Sequence, residues 1–305
     1  MNVGVVGGSG FIGSHILDRL LADGNSVTDF DIMPPRQSSV RHIYVDILDQ
    51  SKTIIALAGE FDSVYMLAAM ANVGDVFKSP TEAVAVNVTG TANVLEAVRR
   101  HDIPRLILAS TVWVYSSSEA ETCPEDTPLR VDRVDHVYTA TKIASEMLTC
   151  SYAKLYGLKY TILRYGVPFG PRARSGTAVA EFVRRAVNHQ PLVIHGDGRQ
   201  KRRFIYVEDL AEANVHSLMD MAENKIYNVD GPEEVSIIGI ADKVNALLGP
   251  TEIKFVDARP GDYRSKIVPN DRIKADLGWE PHTSFDEGLK KYVDWYTQTT
   301  HRRKT

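Results

Sequence analysis

The segment GGSGFIG, from Gly7 to Gly13, constrains the fold more than any other part of the sequence. It follows a short apolar run, VGVV (3–6), and leads into a helical pattern over 12–23. A strand, a glycine turn and a helix in direct succession form the opening unit of a parallel sheet wrapped by helices. Glycines there let the backbone turn tightly and approach a pyrophosphate, while the helix N-terminus offers free N–H groups and partial positive charge. Gly7, Gly10 and Gly13, with Phe11 and Ile12 between them, are therefore candidate ligand contacts.

The pattern that follows repeats this unit. Apolar, β-branched runs at 26–30, 42–45, 63–67, 105–110 and 160–164 alternate with helical patterns at 50–58, 82–100 and 138–156. That order predicts an α/β fold with a doubly wound parallel sheet. From about 167 the text changes to PFGPRARSG, a helical stretch (177–188) and the turn HGDGRQ. Strand then helix return over 204–219, with Asp209 as the expected N-cap, and 225–229 reads as a further strand. A helix over 284–297 and a frayed basic tail close the chain. We expect one domain over 1–166, rejoined by 204–230, and a smaller C-terminal lobe made of 167–203 and 231–305.

Composition removes several classes of function. The 305 residues are 44% hydrophobic and carry a net charge of −4, so a sizeable core is available and no global attraction to nucleic acid exists. Cys123 and Cys150 give neither a disulfide framework nor a CxxC pair, and no metal-ligand set is expected. No stretch reaches membrane-spanning length, and the opening residues enter a strand at once without the basic and long apolar regions of a signal peptide. A cytoplasmic location is the expectation.

Asp31 closes the second strand, 18 residues beyond Gly13. A carboxylate there accepts hydrogen bonds from both ribose hydroxyls and repels a 2′-phosphate, which favours NAD over NADP, although Arg36 lies nearby. Asp46 and Ile47 after the third strand, and Leu67, Ala68 and Ala69 after the fourth, put further cofactor contacts at successive strand C-termini. Thr111 ends the fifth strand. Tyr138 and Lys142, four residues apart at the start of a helix, share a face. An ammonium and a positively charged nicotinamide both favour a phenolate, which makes Tyr138 a candidate base near neutrality.

This set, in this order, resembles the extended short-chain dehydrogenase/reductases, specifically the NAD-dependent epimerase/dehydratase family of nucleotide-sugar enzymes. NVTGTANVLEA (87–97), GPR (170–172), HGDGRQKRRFIYVEDLAEA (195–213) and RPGD (259–262) are similar to family segments, so the resemblance covers nearly the whole chain. It implies a Rossmann-type sheet, NAD as cofactor, and a catalytic set of Thr111, Tyr138 and Lys142. It also implies that Asn87 and Tyr165 support the cofactor, that Val167 and Asp262 border the substrate, and that Arg202 and Arg259 hold the nucleotide diphosphate. A homodimer through helices near 82–100 and 138–156 is implied as well.

The residues after Thr111 bear on the reaction. Related dehydratases carry an acidic pair there and decarboxylases a glutamate; this chain has Val112 and Trp113, which exchange no protons. The expectation is a 4-epimerase acting through a transient 4-keto sugar, of UDP-glucose/UDP-galactose or UDP-uronate type. The alternatives are a dehydratase, decarboxylase or reductase of the same family, and a non-catalytic NAD-binding protein. Where family members often read RYFNVYGPR, this chain reads RYGVPFGPR (164–172), so Val167 stands at the usual substrate-binding asparagine. Extra positive charge from Arg172, Arg174 and Arg203 would suit a uronate.

Overall fold

The computed structural model describes residues 1–257 and 266–302. Up to Tyr165, strands and helices alternate: β1 Asn2–Val6, α1 Phe11–Ala22, β2 Ser26–Asp31, β3 Arg41–Tyr44, α2 Gln50–Ala56, β4 Ser63–Met66, α3 Val73–Lys78, α4 Pro80–Val84, α5 Thr91–Arg100, β5 Arg105–Thr111, α6 Val137–Tyr156 and β6 Lys159–Tyr165. Then come β7 Val167–Phe169, α7 Ala178–Val187, β8 Leu192–His195, β9 Lys201–Tyr206, α8 Val207–His216, β10 Lys225–Val229, β11 Glu234–Ser236, α9 Ile237–Leu248, β12 Ile253–Val256, α10 Asp271–Leu277 and α11 Phe285–Arg302.

Seven strands form one sheet in the order β10-β6-β5-β4-β1-β2-β3, with every neighbour parallel. Successive strand residues point to opposite faces, and both faces are buried. Val5, Ile107 and Leu163 pack with Ile16, Leu17, Leu210 and Trp279 on one side, whereas Val6, Leu106, Leu108 and Ile162 pack with Val94 and Leu95 on the other. The strand order reverses between β1 and β4. Such a reversal leaves a crevice at the strand C-termini, where open α/β sheets bind ligands. The smaller lobe has a three-stranded sheet, β11-β9-β7, and a β12-β8 pair around a core that includes Phe169, Val183, Phe204, Tyr206, Phe285 and Tyr292. Among the described residues no helix is long and apolar enough to cross a membrane.

Three local readings of the sequence are corrected. The single helix expected over 82–100 is α4, a wide π-turn at Ala85–Gly90, and α5. A Cβ on Gly90 would overlap Ile47, so the wide turn brings backbone against the side chain of the β3–α2 loop. Next, residues 204–206 pair with β7 in the small sheet, while α8 packs on α1 and β10 joins the large one. Asp209 is not the N-cap of α8, because Tyr206 occupies that place. Its buried carboxylate instead accepts from the N–H groups of His282 (3.1 Å) and Thr283 (2.8 Å) and from the Thr283 hydroxyl (2.7 Å), which anchors the segment leading into α11.

Candidate functional site

The turn between β1 and α1 is shaped by close backbone approach. Gly7 adopts φ +88°, and a Cβ there would lie 2.5 Å from the Ala68 nitrogen. Its N–H donates to the Phe30 carbonyl at 2.9 Å, tying the turn to β2. A Cβ on Gly13 would overlap the Gly7 carbonyl oxygen, and one on Gly8 would overlap Asp29 Oδ1. A side chain at any of these positions would force the turn apart, so the residues present fit the glycine turn at the N-terminus of α1 that receives a dinucleotide diphosphate. Phe11 and Ile12 begin α1, with Phe11 edge-on to His15 and Ile12 packed on the core.

Two acids on β2 divide the work. Asp29 is fully buried; its Oδ2 accepts from the Ser9 hydroxyl at 2.9 Å and meets His42 Nδ1 at 2.8 Å, and burial pushes its carboxyl above the usual range. Asp31, half-buried at the rim, accepts from the Ser9 N–H (3.1 Å) and the Met33 N–H (3.0 Å). Asp29 braces the loop from inside, and Asp31 holds its rim. Asp31→Ala is expected to erase a preference for NAD over NADP, because both a ribose acceptor and a repulsive charge disappear. Parallel titration of the two cofactors checks this, and a native protein that binds NADP as tightly as NAD would contradict it.

The other expected cofactor residues are placed as follows. Asp46 is exposed and accepts from the Leu48 N–H at 2.9 Å, whereas the Ile47 side chain is buried against Gly90. The N–H groups of Leu67 and Ala68 both donate to the Val6 carbonyl, at 2.8 and 3.0 Å, so the chain after β4 hugs the glycine turn, and Ala69 follows half-buried. Asn87, buried in the π-turn, accepts from the Met70 N–H (2.7 Å) and donates to the Met70 carbonyl (3.1 Å) and to Thr141 Oγ1 (3.0 Å). It therefore locks the β4–α3 loop to α6. Tyr165 points away from the crevice: its buried hydroxyl donates to Asn214 Oδ1 on α8 at 2.6 Å, leaving only its backbone for a ligand.

Thr111 ends β5 in register with Tyr165; its hydroxyl lies beside the Tyr138 phenol and accepts from the Trp113 N–H at 3.2 Å. Tyr138 sits in the first turn of α6, where His136 caps the helix by accepting the Tyr138 N–H on Nδ1 at 3.1 Å. The Trp113 ring stands edge-on to Tyr138 at 6.2 Å and to His136 at 6.0 Å. Lys142 lies one turn further on, 6% exposed. Burial pushes the Tyr138 phenol up to about 12, opposed only by the Thr111 bond, and pushes Lys142 down to about 8, opposed by Glu146. This corrects the expectation of a near-neutral base set by the ammonium. In the protein alone the phenol keeps its proton at neutral pH.

Behind these residues is a buried polar network that the sequence did not announce. Glu146, four residues past Lys142, receives a forked pair of bonds from Arg164 (3.0 and 2.7 Å) and one from Ser110 (2.5 Å). Arg164 also donates to the Tyr115 hydroxyl at 2.6 Å, which donates to Asn228 at 2.9 Å. Trp113, His136, Ser110, Glu146 and Arg164 each carry ordinary local readings in sequence, and only folding brings them behind Tyr138 and Lys142.

On the substrate side, Val167 is on β7, half-buried against the second core, and Arg202 on β9 is buried with one nitrogen donating to the Lys201 carbonyl at 2.9 Å. Arg259 and Asp262 lie outside the described residues. At the C-terminal end of β10 the Asp230 carboxyl covers Gly166, where a Cβ would overlap its Oδ1, and accepts the Gly231 N–H at 2.9 Å. Burial raises this carboxyl to about 7. Because the folded state holds the proton to higher pH than the unfolded chain, Asp230 lowers stability as pH rises from about 4 through about 7. Asp230→Asn should match the native melting temperature near pH 4 and exceed it at pH 8, by on the order of a few kcal/mol of stability. An unchanged pH slope in melting experiments would contradict this.

Comparison with known proteins identifies the family. A family model described as NAD dependent epimerase/dehydratase family matches residues 3–230. A UDP-glucuronate 4-epimerase from Thermodesulfobacterium geofontis is 29% identical, over 95% of this chain and 94% of that protein. The crystal structure of UDP-glucose 4-epimerase with UDP-glucose from Thermotoga maritima superposes with a TM-score of 0.92 at 28% identity, covering 98% of this chain and 100% of that one. A Bacillus cereus UDP-glucuronic acid 4-epimerase, solved with UDP-glucuronic acid and NAD, gives 0.88 at 27% identity, covering 98% and 100%. Other relatives are named as dehydratases and decarboxylases of nucleotide sugars. With its glycine cradle, its parallel seven-stranded sheet and a family match over most of its length, the chain belongs to the NAD-dependent epimerase/dehydratase family of nucleotide-sugar enzymes and takes NAD as its cofactor.

Proposed function

We propose that the chain is a nucleotide-sugar 4-epimerase that works through a transient 4-keto sugar. The observation that carries this reading is the Thr111, Tyr138 and Lys142 cluster with Val112 and Trp113 beside it. The cluster suits proton exchange at one sugar hydroxyl. Val112 and Trp113, which follow Thr111, carry no acid for eliminating water, and the Glu146 carboxylate is already held by Arg164 and Ser110.

NAD, held by the glycine turn, Asp31 and Lys142, supplies a hydride acceptor and a positive ring charge. Tyr138 takes the proton of the sugar 4-hydroxyl as C4 is oxidised, while Thr111 holds the same oxygen. After the keto sugar turns over, C4 regains the same hydride on its other face and Tyr138 returns the proton to the oxygen, so no net oxidation results. Lys142 keeps positive charge beside the phenol as it ionises. Arg202 and Arg259 are the candidate diphosphate ligands, since a planar guanidinium grips phosphate oxygens in pairs. Arg172 is engaged with Asp18 at 2.7 Å, so its charge is already partnered. We further infer a homodimer through the exposed apolar residues Val84, Met147, Leu155 and Tyr156, which sedimentation of the purified protein would test.

The experiment for the reaction is incubation with UDP-, TDP-, GDP- and CDP-sugars, with products resolved by NMR. A 4-epimer formed without accumulation of NADH supports the reading. A dehydrated or decarboxylated product, or stoichiometric NADH, would replace it with another reaction of the family.

A further inference from the structure

We propose that Arg174 is a residue of the cofactor site: residues 170–176 bridge the crevice between β1 and β4, and the Arg174 guanidinium grips the NAD diphosphate above the glycine turn. On one side of the crevice this segment is fastened to α1. The Pro171 carbonyl accepts a bond from His15 Nε2 at 2.9 Å, and burial holds His15 down at about 4, neutral with its proton on that nitrogen. Arg172, at φ +66°, pairs with Asp18 at 2.7 Å. Phe11, His15 and Asp18 follow i, i+4, i+7 spacing on one face of α1, and the segment fastens to His15 and Asp18 there.

On the other side Gly176, at φ +96°, comes so close to the cap of α3 that a Cβ would lie 3.2 Å from Asn72 Nδ2. Arg174 sits between the two attachments. One of its terminal nitrogens is 3.7 Å from where a Cβ on Gly10 would stand, directly over the start of α1. Among the described residues no carboxylate or carbonyl bonds this exposed guanidinium. Its neighbours at Gly10 are backbone groups of the turn that receives the cofactor diphosphate, and a planar fork suits two phosphate oxygens. The clamp would come from the segment joining the two lobes, so cofactor retention would depend on a residue outside the Rossmann-type motif. The inference rests on NAD binding and not on which sugar reaction follows.

The test compares Arg174→Gln and Arg174→Lys with the native protein. NAD retention through gel filtration is measured first, followed by titration with NAD, with ADP-ribose and with UDP. ADP-ribose carries the diphosphate without the nicotinamide, and UDP reports the other diphosphate site. Arg174→Gln should weaken both NAD and ADP-ribose about 10- to 100-fold, the usual range for a charge-assisted bond, and leave UDP unchanged. Arg174→Lys should recover part of the loss, because it restores charge but not the fork. Native-like binding of NAD and ADP-ribose by Arg174→Gln would overturn the proposal, and so would a loss confined to UDP.

Discussion

Replacing Tyr138 by Phe is expected to lower turnover by roughly 10²- to 10⁴-fold, the range that a positioned acid/base supplies, while leaving the fold and bound NAD in place. The substitution deletes only the hydroxyl that meets Thr111, and the ring keeps its edge-on contact with Trp113. Lys142→Met should lose activity as well, and unlike Tyr138→Phe it should also loosen the cofactor. NAD occupancy and single-turnover NADH formation, measured for each variant, separate binding from chemistry. If Tyr138→Phe kept more than a few per cent of the activity, the acid/base assignment would be wrong.

The second large effect concerns stability. Arg164 and Glu146 are almost wholly enclosed, with side chains 4% and 5% exposed, so neither charge is screened by water. Removing one partner of such a pair leaves the other charge buried alone, which costs about 3–5 kcal/mol. Arg164→Ala should therefore unfold at clearly lower denaturant, whereas Arg99→Ala, which breaks a surface pair with Glu96, should change stability by less than about 1 kcal/mol. Equal midpoints for native protein and Arg164→Ala in chemical denaturation would contradict the burial argument.

Where backbone geometry dictates residue type, the sequence was readable. Gly7 and Gly13 are required because a Cβ would meet Ala68 or the turn itself, and the strand-turn-helix context made that visible. Tyr138 and Lys142 were readable because helical spacing alone puts them on one face. What stayed hidden depends on contacts between distant segments. Glu146 and Arg164 are 18 residues apart on different elements, and nothing local marks them as partners. Asp29 and Asp31 have the same spacing signal, and only the bonds from Ser9 and His42 show which acid is braced inside. Asp209 looked like a helix cap because its acidic side chain suits that place, but the same carboxylate is used to hold Thr283 and His282. Tyr165 was assigned to the cofactor by motif, and its side chain faces α8 on the opposite side of the sheet.

The central claim is that oxidation and reduction occur at the same sugar carbon within one binding event. The direct measurement uses UDP-glucose and UDP-glucuronate deuterated at C4, incubated with the purified protein and followed by NMR and mass spectrometry. The account predicts that one of them is converted to its 4-epimer with the deuterium retained at C4 and no deuterium appearing in free NADH. Deuterium lost from C4 or transferred to C6, accumulation of deuterated NADH, or release of carbon dioxide would contradict it.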